Sequence, residues 1–389
     1  MSQTPVQVSL IVPTYNEAEN IQELLTRAHA AVGSVEPNFE ILVVDDRSTD
    51  STVALARAVG EQHANVRVIE REGRRDLALS VIDGWRAARG EMVAVIDADL
   101  QHPPEMLTSL LALARQTEAD FAVASRHVPG GGVSHWKLHR RAVSWIATLL
   151  AGFLIPGVLR MVRDPMSGFF AVRRRMIPFA SLHPRGYKIL LELLARTPYQ
   201  NLVEVPYVFE ERKRGASKLG YKQVMQYLRH VGRLSLETGE VALFLRYAAV
   251  GASGIVVNAL ISQALGSGLP AQAAGFEASV VSNFLLNEFW TFRGRISHLR
   301  FTQPAWQRFG WFQAISLGSM ALNIGLSAAL REMGGLAAAW SAAAGILLGG
   351  ICNFLANKHL TWAFWRHDDI VLPGGAIRRR RKPPESLES

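Results

Sequence analysis

The sequence predicts an α/β domain with a mostly parallel sheet, followed by interfacial helices and a four-helix transmembrane domain. In the first part of the chain, apolar runs rich in β-branched residues alternate with helical segments at the spacing of βαβ units. Residues 1–235 mix charged and apolar residues as a soluble domain does, whereas long apolar runs dominate residues 241–365. The 389 residues are enough for two or three domains.

The charge balance is basic, with 42 Lys and Arg against 33 Asp and Glu and a net charge of +9. Basic clusters flank apolar segments and no nucleic-acid-binding motif is present, so we expect an anionic membrane surface or substrate rather than nucleic acid. The single cysteine, Cys352, lies in an apolar run, which indicates no disulfides and a reducing compartment. The N-terminus lacks a signal-peptide pattern, so the first domain is expected to stay where it is synthesised.

Four strands are predicted, and three of them end in polar loops. The strand from Val8 runs into Pro13, and a helix follows at about 19–31; the next strand covers 40–46, with N-cap candidates at 48–50. A third strand is predicted at 66–69, a helix at 77–88 and a fourth strand at 93–96. Open α/β sheets bind ligands at the carboxyl ends of their strands, where this chain places Tyr15, Glu17, Asp46, Asp97 and Asp99. The absence of G-x-G-x-x-G and Walker A patterns argues against hydride transfer and P-loop chemistry.

The strongest chemical signal is the pair of carboxylates Asp97 and Asp99. On a strand, this i, i+2 spacing points both side chains the same way, and Gln101 repeats the step. Pro103 and Pro104 then end the strand and begin a helix predicted at 105–114. Two carboxylates and an amide oxygen suit Mg²⁺ or Mn²⁺ with a bound phosphate. For a D-x-D pattern alone, the alternative is an ordinary turn with solvated acids.

Several ordered motifs together resemble the family 2 glycosyltransferases of GT-A fold, a Rossmann-like α/β class, and within them the dolichol-phosphate mannose synthases. The resemblance covers about residues 6–235 and is carried by Ile11-Val12-Pro13-Thr14-Tyr15-Asn16-Glu17, Val43-Val44-Asp45-Asp46-Arg47-Ser48-Thr49-Asp50, Asp97-Ala98-Asp99-Leu100-Gln101-His102-Pro103-Pro104, and the segments 121–126, 164–170 and 212–218. Family members usually have Gly-Leu where this chain has Asp76-Leu77.

The resemblance implies a role for each matching residue. The donor nucleotide sugar would be bound by Pro13, Tyr15, Glu17, Val44, Asp46, Asp97, Ala98, Asp99, Arg212 and Lys218. The metal ion, Mg²⁺ or Mn²⁺, would be held by Asp97, Asp99 and Gln101. The phosphate of the acceptor lipid would be received by Arg126, Arg140 and Ser144. Asp99 and Arg212 would be the catalytic residues.

Charge neutralisation supports these roles independently. A departing nucleoside diphosphate needs a divalent cation and further positive charge, which Arg212 and Lys218 can supply if their loop closes as a lid. The alternative for that loop is a solvated basic segment. The acceptor phosphate is ionised near neutral pH, so no histidine is expected to act as a general base. Asp164 and Ser167 are expected either to contact the sugar or to hold a turn.

Two apolar segments are expected to lie in the lipid headgroup layer, at about 140–160 and 221–236. A buried core helix is the alternative for the first. From residue 241, four segments at about 241–265, 271–290, 308–330 and 336–360 are long enough to span a bilayer. Residues 246–258 match 308–323 and residues 283–292 match 353–362, which indicates a duplicated helix hairpin. Its asparagines are expected to bond between helices rather than to line a transport path.

Loop charge predicts the topology. The 293–308 loop and the basic tail at 366–389 are rich in Arg and Lys, which favours the cytoplasmic face for both and for the catalytic domain, 1–235. The membrane domain, 241–365, resembles GtrA-like domains, which implies an association with polyprenyl-linked sugars. We therefore expect an integral protein of the cell membrane with four transmembrane helices.

The expected activity is inverting, metal-dependent transfer of mannose from GDP-mannose to a polyprenyl or dolichyl monophosphate at the cytoplasmic membrane face. One alternative is a UDP-glucose-dependent polyprenyl-phosphate glucosyltransferase. An alternative of another class is a flippase or transport module for lipid-linked sugars. A processive polysaccharide synthase is disfavoured because the chain has no Q-x-x-R-W motif. The expected partners are a nucleotide sugar, a prenyl phosphate lipid and the membrane.

Overall fold

The computed structural model describes residues 5–134, 147, 151, 154–155, 162–182, 188–211, 221–266, 268–293, 303–332, 337–362 and 367–381. The chain forms two compact units. The first comprises Met1–Thr238 and His367–Lys382, and the second comprises Gly239–Arg366 and Pro383–Ser389. Each unit has its own hydrophobic core.

A nine-stranded sheet, counted over the described residues, organises the first unit. Its strands are β1 Val8–Thr14, β2 Phe39–Asp45, β3 Val66–Glu70, β4 Met92–Val95, β5 Phe121–Ser125, β7 Phe170–Arg173, β8 Asn201–Pro206, β10 His367–Val371 and β11 Ile377–Arg381, while β6 Gly132–Val133 and β9 Val208–Phe209 pair separately. The order across the sheet is β10-β11-β8-β5-β7-β4-β1-β2-β3. β1 pairs in parallel with β2 and β4, β2 with β3, and β5 with β8, whereas β7 and β11 are antiparallel to their neighbours. The predicted α/β fold with a mostly parallel sheet is confirmed.

Helices cover both faces of this sheet. They are α1 Ile21–Gly33, α2 Thr52–Gln62, α3 Leu77–Ala87, α4 Met106–Gln116 and α5 Ile189–Arg196, whereas α6 Tyr221–Glu237 packs in a separate cluster that includes Leu191 of α5. Alternate strand residues enter opposite cores: Leu10 packs with α1, α2 and α4, whereas Ile11 packs with α3 and α5. Burial on both faces explains why the central strands are continuous apolar runs.

Helix starts differ slightly from the sequence expectations. The helix predicted at 19–31 begins at Ile21, and the cap of α2 is Ser51 rather than a residue of 48–50, although Asp50 does accept a hydrogen bond from the Thr52 backbone N–H (3.0 Å). Asp76 caps α3 by accepting from the Ala78 N–H at 3.0 Å. The departure from the family pattern at position 76 therefore provides a helix cap.

The prediction of a separate basic tail at 366–389 needs correction. Within it, β10 and β11 form an antiparallel pair that extends the sheet of the first unit from β8. The turn between them uses Gly374 and Gly375 at φ +78° and +82°, the left-handed region that glycine tolerates. Its basic composition suggested a tail outside the sheet, but strand pairing and one buried ion pair determine its place.

The two segments expected at the headgroup layer contact each other where they are described. Most of 140–160 lies outside the described residues, but Ala151 and Ile155 pack with Tyr227 and Val231 of α6. The Tyr227 hydroxyl also donates to the Ala147 carbonyl at 2.6 Å. Their position at a bilayer surface remains a prediction.

The second unit contains four long helices within its described part. They are α7 Glu240–Leu265, α8 Leu269–Leu286, α9 Ala305–Glu332 and α10 Ala338–Ala356, with π-helical turns at Asn287–Thr291 and Asn357–Thr361. Three stretches among the described residues are long and apolar enough to cross a membrane: Glu240–Leu265, Ala305–Glu332 and Ala338–Thr361. The count of four spans remains a prediction.

Matching contacts in the two hairpins support the predicted duplication. A Cβ placed on Gly275 would lie 2.5 Å from Asn258 Oδ1, and one on Gly345 would lie 2.6 Å from Asn323 Oδ1, so glycine permits close helix contact in both hairpins. Each hairpin ends in a π-helical turn beginning with asparagine. Buried ion pairs join the end of one hairpin to the start of the other, as Glu288–Arg308 and Lys358–Glu240.

Candidate active site

A turn, rather than the strand, positions the two central carboxylates. β4 ends at Val95, so Asp97 and Asp99 lie beyond the strand and the strand-alternation argument was wrong. Leu100 takes φ +58°, an unfavourable left-handed conformation for a leucine. Asp99 Oδ1 accepts from the Gln101 backbone N–H at 3.1 Å, and Gln101 Nε2 donates to the Glu210 carbonyl at 3.1 Å. The amide oxygen of Gln101 is therefore the end that could reach a metal ion.

The donor set fits Mg²⁺ or Mn²⁺. Two carboxylates and an amide oxygen are hard ligands, and the Asp97 side chain is one-third exposed while Asp99 is buried. A Cβ built on Gly168 would lie only 2.7 Å from Asp97 Oδ2, so the neighbouring turn leaves room for this carboxylate and little else. Over the described part of the chain, no cluster of three or more His, Cys, Asp or Glu has metal-binding geometry, and the set here includes a glutamine.

His102 supports Asp97 from behind. Its Nε2 lies 3.4 Å from Asp97 Oδ2, and its ring packs against Phe169, Tyr207 and Phe209 at centroid distances of 5.4, 5.5 and 5.1 Å. The ring is almost completely buried. It is therefore a hydrogen-bonding residue of the interior that can restrain the carboxylate.

The loops after β1 and β2 are hydrogen-bonded into one wall. The Asn16 N–H donates to Ser48 Oγ at 2.8 Å, and the Thr49 N–H donates to Asn16 Oδ1 at 2.8 Å. Asn16 and Arg47 have φ +51° and +65°. With Leu100, they are three of the four described non-glycine residues with positive φ, and all three follow strands at the same edge of the sheet. Strained backbone of this kind clusters at functional sites.

The predicted donor-binding residues at this wall occupy two depths. Tyr15 lies in the loop, where the Arg75 guanidinium sits 4.6 Å from its ring centroid and donates to its hydroxyl. Asp46 is buried, pairs with Arg71 and accepts from the Asp76 N–H at 2.7 Å. Glu17 is half-buried, and its backbone N–H donates to Thr52 Oγ1 at 2.9 Å. Ala98, which lies between Asp97 and Asp99 in the sequence, is buried. Pro13 of β1 and Val44 of β2 are buried and lie opposite each other in the sheet.

Arg126, predicted to bind the acceptor phosphate, is held by Asp164. Its Nε and Nη2 donate to the two carboxylate oxygens at 2.6 and 2.7 Å, and its backbone N–H donates at 3.0 Å. Burial alone would raise the pKa of Asp164, but the Arg126 guanidinium outweighs burial and holds that pKa below its usual range. Asp164 is therefore an ionised positioning group. Ser167 has a turn role, since its Oγ bonds both the N–H and the carbonyl of Phe169.

Lys188 is a candidate that sequence reasoning missed. It precedes α5, and its Nζ donates to the Met166 carbonyl at 2.7 Å, within the same turn that contains Asp164 and Gly168. Burial and repulsion by Arg126 lower the pKa of Lys188 to about 8, while Asp97 and Asp164 act in the opposite direction. A lone lysine before an apolar helix was the available signal, but its contact with this turn was not visible in the sequence.

Four predicted site residues lie outside the described residues: Arg140, Ser144, Arg212 and Lys218. The described part nevertheless contains two chemically distinct halves. Carboxylate and amide oxygens lie on one side, and the cations Arg126 and Lys188 lie around the turn that touches Asp97. Such a site can bind a metal ion with one phosphate and hold a second anion nearby.

Comparison with known proteins identifies a family for each of the two parts of the chain. Residues 9–178 match the Glycosyl transferase family 2 model, and residues 246–362 match the GtrA/DPMS, transmembrane domain model. A dolichol-phosphate mannosyltransferase of Pyrococcus furiosus is 36% identical over 366 residues, covering 92% of this chain and 100% of that relative.

Two further relatives each match about three fifths of this chain. A dolichol-phosphate mannosyltransferase of Mycosarcoma maydis is 39% identical over 244 residues, covering 60% of this chain and 80% of that protein. A polyprenol monophosphomannose synthase of Mycolicibacterium smegmatis is 36% identical over 253 residues, with coverages of 61% and 92%.

Proposed function

Because the chain belongs to the dolichol-phosphate mannosyltransferases of glycosyltransferase family 2, we propose that it transfers mannose from GDP-mannose to a polyprenyl or dolichyl monophosphate. The chain is a glycosyltransferase and a membrane protein. The observation that supports the proposal best is one shared turn. Residues 164–168 contact the Asp97 carboxylate through Gly168, the Arg126 guanidinium through Asp164, and the Lys188 ammonium through Met166.

The proposed reaction is a single displacement with inversion. An oxygen of the acceptor phosphate attacks the anomeric carbon, the bond from that carbon to the diphosphate breaks, and GDP leaves. A divalent ion held by Asp97, Asp99 and Gln101 would neutralise charge on the departing diphosphate. Since the acceptor phosphate is already ionised, no protein base is required.

Different described residues would bind the acceptor phosphate and the nucleotide. Arg126 and Lys188 would bind the acceptor phosphate, and Asp164 keeps the Arg126 guanidinium oriented. Arg140 and Ser144 would be further ligands of that phosphate. The nucleotide would lie against the wall formed by Tyr15, Glu17 and Asp46, with Pro13, Val44 and Ala98 behind it.

Two residues would complete the donor side. Arg212 and Lys218 would close over the donor phosphates, with Asp99 and Arg212 as the catalytic residues. We also propose four membrane spans with the catalytic unit on the cytoplasmic face. Protease access to the 293–308 loop in sealed vesicles tests this topology. A loop that the protease cleaves only from the extracytoplasmic side would contradict it.

A panel of radiolabelled nucleotide sugars tests the activity. Purified protein is incubated with Mn²⁺, a short polyprenyl phosphate and each sugar, and label in the lipid phase is measured. Transfer is expected from GDP-mannose and is expected to be lost in Asp99→Ala. The matched control is Glu91→Ala, which removes a carboxylate at the opposite end of β4. Transfer only from UDP-glucose would overturn the donor, and transfer surviving in Asp99→Ala would overturn the metal site.

A further inference from the structure

The C-terminal strands connect to the acceptor side of the site through one buried carboxylate. We propose that Arg379 of β11 is a positioning residue for acceptor binding, acting through Glu204 and Asp164 on Arg126. This inference rests on the proposed role of Arg126 in binding the prenyl phosphate. It assigns a function to a segment that was predicted from its composition only as a basic tail.

The first step of the connection is strand pairing. β11 is antiparallel to β8, with Ile377 opposite Glu204 and Arg379 opposite Leu202. Residues two apart along a strand share a face, so Arg379 is the diagonal neighbour of Glu204. Its Nη1 donates to Glu204 Oε2 in an ion pair whose side chains are 4% and 0% exposed.

The second step is a set of hydrogen bonds from the backbone at residues 163 and 164 to Glu204. Its carboxylate accepts from the Arg163 N–H at 3.0 Å and from the Asp164 N–H at 3.1 Å. Burying a carboxylate this deeply is costly without a compensating cation, which Arg379 supplies. Removing Arg379 would therefore leave the buried Glu204 carboxylate without its cationic partner, so that it shifts and loosens the two backbone hydrogen bonds.

The third step reaches the phosphate-binding group. Asp164, whose backbone Glu204 holds, makes the bidentate pair with Arg126 at 2.6 and 2.7 Å. Four segments are thus joined in series: β11, β8, the turn before β7, and the loop after β5. A shift of the Asp164 backbone would turn the guanidinium away from the acceptor phosphate.

Arg378 provides a matched control on the same strand. Its side chain points to the other face, where Nη2 donates to the Thr117 carbonyl at 3.0 Å. Arg378→Ala and Arg379→Ala each remove one arginine from β11. Only the second breaks the connection to Asp164.

Equilibrium binding of a short polyprenyl phosphate to the full-length protein in nanodiscs tests the inference. Arg379→Ala is expected to weaken binding on the order of tenfold, within the range of coupling inside one hydrogen-bonded network, while GDP-mannose affinity is kept. Arg379→Met retains the packing of the stem and should show the same selective loss if the alanine variant does not fold. Arg379→Lys should restore much of the affinity, and Arg378→Ala should bind as wild type.

A double-mutant cycle with Arg126→Ala separates positioning from general destabilisation. If Arg379 acts through Arg126, the double variant binds no more weakly than Arg126→Ala alone. Wild-type binding by Arg379→Met, or purely additive losses, would overturn the inference. Because the prenyl phosphate measurement itself contains no nucleotide sugar, a failure of GDP-mannose as donor leaves its result intact. Wild-type binding by Arg126→Ala would instead remove the proposed phosphate ligand, and the inference with it.

Discussion

Replacing Gly168 by alanine should weaken metal binding without unfolding the protein. The new methyl carbon would lie 2.7 Å from Asp97 Oδ2 and 3.3 Å from Asp97 Cγ, whereas ordinary contacts begin at 3.4 Å. Gly168 has no positive φ, so alanine itself fits the backbone. The clash falls on a carboxylate that is one-third exposed and can rotate away. We therefore expect a change in the free energy of unfolding below about 1 kcal/mol.

The same rotation should be costly for a metal site. Relief of the clash requires a shift of about 0.7 Å, the difference between 3.4 and 2.7 Å, whereas metal–ligand distances tolerate about 0.2 Å. Displacing the support of a ligand typically lowers metal affinity about 10- to 100-fold. This corresponds to about 1.4 to 2.7 kcal/mol of binding free energy.

Titration of transfer activity with Mn²⁺ measures this effect. Gly168→Ala should need about 10- to 100-fold more Mn²⁺ for half-maximal activity, with an unchanged melting temperature. Gly132→Ala is the matched control, because a Cβ there meets nothing within 4 Å. An unchanged Mn²⁺ requirement in Gly168→Ala would refute the assignment of Asp97 as a metal ligand. A similar loss in the control would refute the steric argument.

Three further predictions concern stability, pH and the membrane unit. Burial would raise the pKa of Glu40, but hydrogen bonds led by Arg89 outweigh it and lower that pKa, so Glu40→Gln should lose about 3 kcal/mol of stability at pH 7. That deficit should shrink in acid as Glu40 protonates in the wild type, and thermal denaturation from pH 7 to pH 3 should show the convergence. The pKa of Lys188 is lowered to about 8, so the affinity of the wild type for prenyl phosphate should fall as the pH rises through this value. Lys188→Met should bind prenyl phosphate roughly tenfold more weakly at pH 7 and should lack this decline. An identical pH profile in the variant would contradict a role of Lys188 in binding the phosphate. Gly345→Val would place a Cβ 2.6 Å from Asn323 Oδ1 of α9, whereas a Cβ at Gly350 would meet nothing within 4 Å. In detergent, Gly345→Val should therefore lower the melting temperature and Gly350→Val should not. Equal melting temperatures would argue against close helix contact at Gly345.

Local and periodic signals determined much of this protein in advance. The apolar strands ending in polar loops predicted the sheet and its ligand-binding edge, because burial on both faces requires continuous apolar runs. The matched hydrophobic segments predicted the duplicated hairpins, whose close glycine contacts then appeared at equivalent positions, Gly275 and Gly345. Asp97, Asp99 and Gln101 were recognisable in the sequence because three side chains with oxygen ligands occur two positions apart.

Only the tertiary structure decided how distant residues meet. The left-handed Leu100 turn replaced the expected strand geometry, since backbone conformation after a strand depends on what packs against it. Lys188 contacts Met166, which is 22 positions away in the chain, and Arg379 contacts Glu204, which is 175 positions away. Composition gives no sign of such contacts, because they depend on which strands pair and which side of the sheet a side chain faces. The basic C-terminal segment shows the difference best: its charge was legible in the sequence, but its place beside β8 came from main-chain pairing and one buried carboxylate.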